Sequence, residues 1–214
     1  MKLILFISLL LVISCEHYGI DVSTWQGDID WPTVAENNYF AIIRAGYGNG
    51  NEDNYFEQNY SGAKDAGVRV GAYWYAYSTS TDDAANEAYG CVSVLSGKSF
   101  EWPIYYDIEE QDIFDAGVAS DIARTFCGIL EDSGYYCGVY SSKSALENYF
   151  DDDVRSSYTI WLAQWDVPSP TYEGSYDIWQ YTVGSTPGVS GDCDLDVGYF
   201  DFEPIMKKNH LNGF

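Results

Sequence analysis

The sequence predicts an α/β fold, a single-domain TIM-like barrel in which five βα units are followed by three plain strands. Three observations carry this expectation. Short runs rich in β-branched and aromatic residues alternate with longer amphipathic stretches, as repeated βα units require. A helix-to-strand segment recurs, since Asp65–Tyr73 and Asp132–Tyr140 share the pattern D-[AS]-G-x-x-x-G-x-Y. Beyond residue 149 the strand-like runs continue with no long helical stretch between them. An open doubly wound sheet fits the same alternation and is the rival architecture.

In chain order, strands are expected at Tyr18–Val22, Phe40–Ala45, Val68–Tyr77, Pro103–Ile108, Tyr136–Ser141, Thr159–Gln164, Tyr176–Tyr181 and Asp194–Phe200. Helices are expected near Pro32–Asn37, Asn54–Ala66, Asp82–Leu95, Val118–Asp132 and Lys143–Tyr149. Pro32 suits a first helical turn, where its missing N–H costs nothing. Ser80 and Thr81 precede two aspartates as an amino-terminal cap, and Gly67 and Gly134 are natural helix stops.

Residues 1–15 read as a secretory signal peptide: Lys2 precedes an apolar run from Leu3 to Ile13, too short to span a bilayer. Val12–Cys15 also loosely resembles a bacterial lipobox. Removing Cys15 leaves Cys91, Cys127, Cys137 and Cys193, an even number that fits two disulfides in an exported chain, with three open connectivities. The remaining 199 or so residues suit one domain with a sizeable core. The chain carries 33 Asp and Glu against 10 Lys and Arg, a formal charge of −23. Such a surface excludes nucleic acid as a partner, while 46% hydrophobic and 17% aromatic content exclude disorder. The two histidines, His17 and His210, stand near opposite ends of that remainder and no C-x-x-C occurs, so no metal site or cofactor is expected. Asn59-Tyr60-Ser61 is a glycosylation sequon. The basic tail Lys207–His210 reads as a frayed terminus.

The chemistry points to Pro103-Ile104-Tyr105-Tyr106-Asp107-Ile108-Glu109. In a strand, residues two apart face the same way, so Asp107 and Glu109 share a wall. Paired carboxylates at the end of a strand are what acid-catalysed glycosidic cleavage needs. A lone D-x-E is more often a pair of solvated acids opening a loop. Asp21 adds an acid inside the first apolar strand, costly to bury unless it lines a cavity. Asp194 and Asp196 alternate with apolar residues in the last strand, the default reading being a solvated face. Closing a barrel sets the first and last strands side by side and brings Asp21 and Asp194 to the mouth that holds Asp107 and Glu109.

The chain resembles family 25 glycoside hydrolases, the Chalaropsis-type lysozymes. The matching blocks are GIDVSTWQGDIDW at Gly19–Trp31, GAYWYA at Gly71–Ala76, PIYYDIEE at Pro103–Glu110, GVYSS at Gly138–Ser142, IWLAQW at Ile160–Trp165, and IWQYT followed by CDLDVGYF within Ile178–Phe200. The resemblance implies a (β/α)5β3 barrel, a lysozyme-like catalytic domain over residues 16–214. It implies cleavage of the β-1,4 bond between N-acetylmuramic acid and N-acetylglucosamine in bacterial peptidoglycan, with an acidic cluster at Asp21, Asp107, Glu109 and Asp194. Trp74 stands where many members have His, and Arg44 where many have Lys.

On this reading Glu109 is the general acid, because crowded carboxyls cannot all ionise cheaply, and Asp107 stays ionised. The spacing does not choose between retention, inversion and assistance by the substrate's N-acetyl group. Tyr75, Trp161, Trp165 and Trp179 are candidate sugar contacts, although core packing is at least as common a use of such rings. The partner is the peptidoglycan glycan strand, with neither nucleic acid nor membrane, and the chain is expected to act as a monomer. The leader points to secretion or to an acidic digestive or phagosomal compartment, and repulsion from anionic wall polymers at neutral pH favours the acidic setting. Rival functions are a non-catalytic carbohydrate-binding protein on the same barrel, and a chitinase-like enzyme, disfavoured because Tyr105 stands where such enzymes have another acid.

Overall fold

Eight strands close on themselves in the computed structural model, which describes residues 16–214; the expected signal peptide lies outside them. Strand β1 (His17–Val22) leads through a single 3-10 turn to α1 (Trp31–Ala35). Strand β2 (Phe40–Tyr47) is followed by the two-residue β3 (Asn51–Glu52) and α2 (Phe56–Ala66), and β4 (Arg69–Tyr75) by α3 (Thr81–Leu95). After β5 (Ile104–Asp107) come α4 (Gln111–Ala116) and α5 (Ala119–Asp132); after β6 (Cys137–Ser142) come α6 (Lys143–Tyr149) and α7 (Asp152–Ser157). Then β7 (Thr159–Ala163), β8 (Ile178–Ser185) and β9 (Asp192–Gly198) follow without a helix between them, and α8 (Glu203–Asn209) comes last.

All barrel pairings from β1 through β8 are parallel, while β9 runs antiparallel to both β8 and β1. This closure excludes the open sheet. The reversal of β9 also means that its beginning, not its end, reaches the mouth where the parallel strands finish. Asp194 is thereby the direct register partner of Asp21.

The interior is filled by large side chains, among them Phe40, Ile42, Tyr73, Tyr105, Trp161 and Ile178. Trp102 stacks on Phe40 with centroids 3.8 Å apart. Gly198 is what makes room for it, because a Cβ there would sit 2.3 Å from the Trp102 ring. The repeated sequence segment has the same explanation in both copies. Gly67 and Gly134 adopt positive φ after a helix, and Tyr73 and Tyr140 enter the barrel two residues beyond a glycine. Outside the strands a second apolar layer binds the helices, and it contains Trp74. Trp74 is fully buried and donates to the Gly48 carbonyl at 3.0 Å, so this departure from the family pattern belongs to the helical layer.

Several expectations need correction. The four cysteines are buried free thiols rather than two disulfides. Cys91, Cys127 and Cys137 meet beneath α3 and α5, where the Cys137 thiol donates to Cys127 Sγ across 2.8 Å. Cys193 lies instead on β9 near Asp21 and Asp194, so the four do not form two pairs. Asn59 is fully buried, which closes the sequon to glycosylation in the folded chain. The basic tail is not frayed: it is the last turn of α8, and the following Asn212 is buried beneath the barrel. The Asn212 amide donates to the Trp102 carbonyl (2.9 Å) and accepts from the Tyr136 backbone N–H (2.7 Å).

Because replacing Asn212 by Ala orphans the buried Trp102 carbonyl and the half-buried Tyr136 N–H, Asn212→Ala is expected to lower unfolding free energy by about 2–4 kcal/mol in urea denaturation. A change under about 0.5 kcal/mol, typical of neutral surface sites, would contradict the plugged-barrel description.

Candidate active site

Strand β5 supplies the first acid. Asp107 is its last residue, in register with Tyr75 of β4 and Tyr140 of β6. The strand-like path continues one step further, since the Ile108 N–H donates to the Tyr140 carbonyl and the Ser141 hydroxyl to the Ile108 carbonyl. Glu109 therefore follows Asp107 on the same side, at the rim. Asp107 is 5% exposed, whereas Glu109 opens to solvent. The Tyr75 hydroxyl donates to Glu110 at 2.7 Å and also lies beside Glu109.

Across the mouth, Asp21 is 6% exposed and accepts a 2.8 Å hydrogen bond from the Gln180 amide. The Gln180 carbonyl oxygen in turn accepts from the Tyr140 hydroxyl (2.9 Å) and the Trp165 indole N–H (3.1 Å). Deeper in, Asp196 is fully buried and accepts from the Trp161 indole at 2.8 Å. One oxygen on each of Asp107, Asp194 and Asp196 is buried without a hydrogen-bond partner. Arg44 brings a cation to the same end, its Nε held at 2.7 Å by the buried Asp53. A register irregularity in β2 between Arg44 and Gly46 reshapes the strand there. Gly46 permits it, because a Cβ would lie 2.3 Å from the Asn51 carbonyl oxygen.

The electrostatics follow from crowding. Burial raises Asp107 well above the usual carboxylate range; Glu109 pushes it further and Arg44 opposes. Burial raises Asp21 likewise, with Asp196 and Asp194 adding to the effect and the Gln180 hydrogen bond opposing it. Asp194 is raised by burial, and Asp196 is raised well above its ordinary value by burial despite the Trp161 hydrogen bond. Glu109 keeps solvent contact, yet desolvation by the surrounding wall raises it, with Glu110 and Asp194 adding and Tyr75 opposing. Asp107 is the deeper of the pair and the harder to charge. Among the described residues no group of His, Cys, Asp and Glu is arranged to hold a metal ion.

The structure thus brings Asp21, Asp107, Glu109 and Asp194 to one mouth, with Tyr75 and Trp165 beside them. It does not do the same for two of the expected sugar contacts. Trp161 is 1% exposed and sits beneath the cavity with no ring face to offer. Trp179 alternates with the inward Ile178 and Gln180, so it faces outward and bonds the Gln164 carbonyl at 2.7 Å. Sequence reasoning did not single out Gln180 or Asp196 for this cluster. The alternation in IWQYT and CDLDV places both inward, and that was the available signal.

A β/α barrel whose carboxyl mouth gathers several partly desolvated carboxylic acids is the architecture of a barrel glycosidase. The chain belongs to glycosyl hydrolases family 25, whose sequence model matches residues 20–189. It is 30% identical to an autolytic lysozyme of Clostridium acetobutylicum over 83% of this chain and 54% of that protein. The chain therefore spans about half the length of that relative. Among solved structures it superposes on the bacterial lysozyme from Streptomyces coelicolor with a TM-score of 0.75 and 26% identity, covering 91% of this chain and 97% of the other. It also superposes on the modular autolysin LytC from Streptococcus pneumoniae, solved with a synthetic peptidoglycan ligand. That match has a TM-score of 0.73 and 26% identity, over 86% of this chain and 47% of LytC.

The raised acids link pH to stability. A carboxyl whose folded pKa exceeds its unfolded value contributes stability fully present below the unfolded pKa and lost as pH rises through the folded one. For Asp21, Asp107 and Asp196 that loss falls above the ordinary carboxylate range. Thermal unfolding midpoints are expected to rise as pH is lowered from about 8 to about 5, where ordinary carboxylates are still ionised. A midpoint that falls over this interval contradicts the shifts.

Proposed function

We propose that the chain hydrolyses the β-1,4 bond between N-acetylmuramic acid and N-acetylglucosamine in bacterial peptidoglycan, with Glu109 as general acid. The observation that carries this reading is the stacked pair at the end of β5, with Asp107 buried and Glu109 above it at the solvent-facing rim. Glu109 is the member of the cluster that combines a raised pKa with access to a leaving oxygen. Asp107, one oxygen of which lacks a protein partner, is placed to meet a polar group of the bound sugar and to balance positive charge developing on the ring. Asp21, fixed by Gln180, and Asp194 hold the field around the pair and accept sugar hydroxyls. Tyr75 orients the acids at the rim and Trp165 offers an exposed ring beside Gln180. The lysozyme and autolysin relatives support the choice of peptidoglycan.

Export through the leader at 1–15 and work as a monomer in an acidic compartment belong to the same reading. The charge of −23 repels anionic wall polymers at neutral pH. Acidification reduces that repulsion and keeps Glu109 protonated, so activity is expected to fall as pH rises through the Glu109 pKa. A profile at low salt that peaks well above neutrality contradicts this placement.

Glu109→Gln is expected to cut kcat about a hundred- to ten-thousand-fold while the unfolding midpoint changes little. The products identify the bond: mass spectrometry of digested peptidoglycan should find muramic acid at the new reducing end. Glucosamine there would instead mean a glucosaminidase, and undigested glycan retained by the protein would mean binding alone.

A further inference from the structure

Trp25 is 82% exposed, an unusual position for the largest apolar side chain, and it is not on a loose loop. It sits in the middle of the 3-10 turn Thr24–Gln26, which is fastened from several sides. Ser23 and Gln26 close a reciprocal capping box: the Ser23 hydroxyl accepts from the Trp25 N–H at 3.3 Å, and the Gln26 carbonyl oxygen accepts from the Ser23 N–H at 2.8 Å. Buried Asp53 accepts from the Thr24 N–H at 3.1 Å while also holding Arg44 and the Tyr55 N–H. The Gln26 amide reaches the Asp192 carbonyl at the start of β9. The backbone that carries the indole is therefore held in place, which lowers the entropic cost of binding at this position.

The indole forms one wall of a cavity of about 620 Å³. The cavity continues without a break to Glu109, and Arg44, Tyr47, Tyr75 and Tyr77 also line it. Tyr77 is 55% exposed and packs against Tyr75 with centroids 5.1 Å apart. The lining is therefore aromatic faces interrupted by polar edges. Asp107, Asp21 and Asp194 are absent from this wall, so the space lies to one side of the acid cluster.

We propose that Trp25 and Tyr77 form a second sugar station in the groove, gripping a glycan residue removed from the bond that is cut. This rests on the reading that the chain acts on peptidoglycan, and it adds which part of the strand is held. A β-1,4-linked hexosamine carries its substituents equatorially, so each ring shows an apolar face of axial hydrogens edged by hydroxyl and acetamido groups. Such a face stacks on an indole or phenol, and its edge meets polar groups such as Arg44 and Tyr47. The station makes the protein sensitive to chain length, because a long strand fills it during catalysis and a short fragment does not.

Two measurements test this. Trp25→Ala is expected to lower kcat/KM on long, uncrosslinked glycan strands about tenfold more than on the shortest fragment the protein cleaves, the scale of one stacked ring. Trp25→Phe should recover part of that difference. Equal losses on long and short substrates, or none on either, overturn the proposal. The second measurement does not need hydrolysis: co-sedimentation with insoluble peptidoglycan, with Glu109→Gln as the parent. Adding Trp25→Ala should weaken its binding about tenfold, and unchanged binding again overturns the station. If the wild type releases no fragments, the catalytic reading fails while this binding comparison still decides the role of Trp25. The high exposure of Trp25 keeps the substitution from threatening the fold.

Discussion

Bringing several carboxyl groups into one partly dry cavity is the constraint on which the rest of the molecule depends. Each buried carboxylate resists ionisation, and each neighbour's charge adds to the resistance. The fold answers with a graded arrangement. Asp196 at the bottom receives an indole N–H, Asp21 receives an amide N–H, Arg44 places a cation beside Asp107, and Glu109 is left at the rim facing water. The result is a floor of acids that resist ionisation beneath a solvent-accessible one. Protons in such a set belong to the group of interacting acids as much as to any one residue, so the role proposed for Glu109 rests on its place at the rim more than on a single titration.

That arrangement draws on the whole barrel. Asp21 comes from the first strand and Asp194 and Asp196 from the last, and only closure between β1 and β9 makes them neighbours. The aromatic filling beneath them, from Trp161 and Tyr105 to the Phe40–Trp102 stack, shuts the cavity against water from below. Asn212 and the turn after α8 cover the opposite end. The packing that stabilises the fold is thus the same packing that keeps the floor acids dry.

Much of this was legible in the sequence, and the reasons differ by element. The early strands carry dense β-branched and aromatic runs, and the period-two rule then placed Asp107 and Glu109 on one wall without any tertiary information. The αL glycines Gly67 and Gly134 marked real helix ends. The reversal of β9 was not legible, because nothing in CDLDV states strand direction. Helices α4, α7 and α8 were not marked by the sequence pattern. Trp161 and Trp179 were offered as sugar contacts on residue type alone, whereas alternation along β7 and β8 sends one under the cavity and the other away from it. Trp25 escaped notice for the converse reason, since exposure at a pinned turn leaves no trace in hydropathy. The cysteine count suggested bridges, but an even number says nothing about distance, and Cys193 lies on β9 near Asp21 and Asp194, away from the other three.

The most direct measurement of the central claim is a carboxyl titration by ¹³C NMR of the intact protein, with Glu109→Gln used to assign its resonance. Glu109 and several of the buried aspartates are expected still to hold protons above the ordinary carboxylate range of about 4, and the Glu109 signal is expected to move with those of its neighbours. If every carboxyl at the barrel mouth ionises independently at or below that range, the cavity is an ordinary solvated acidic patch and the proposed acid catalysis has no physical basis.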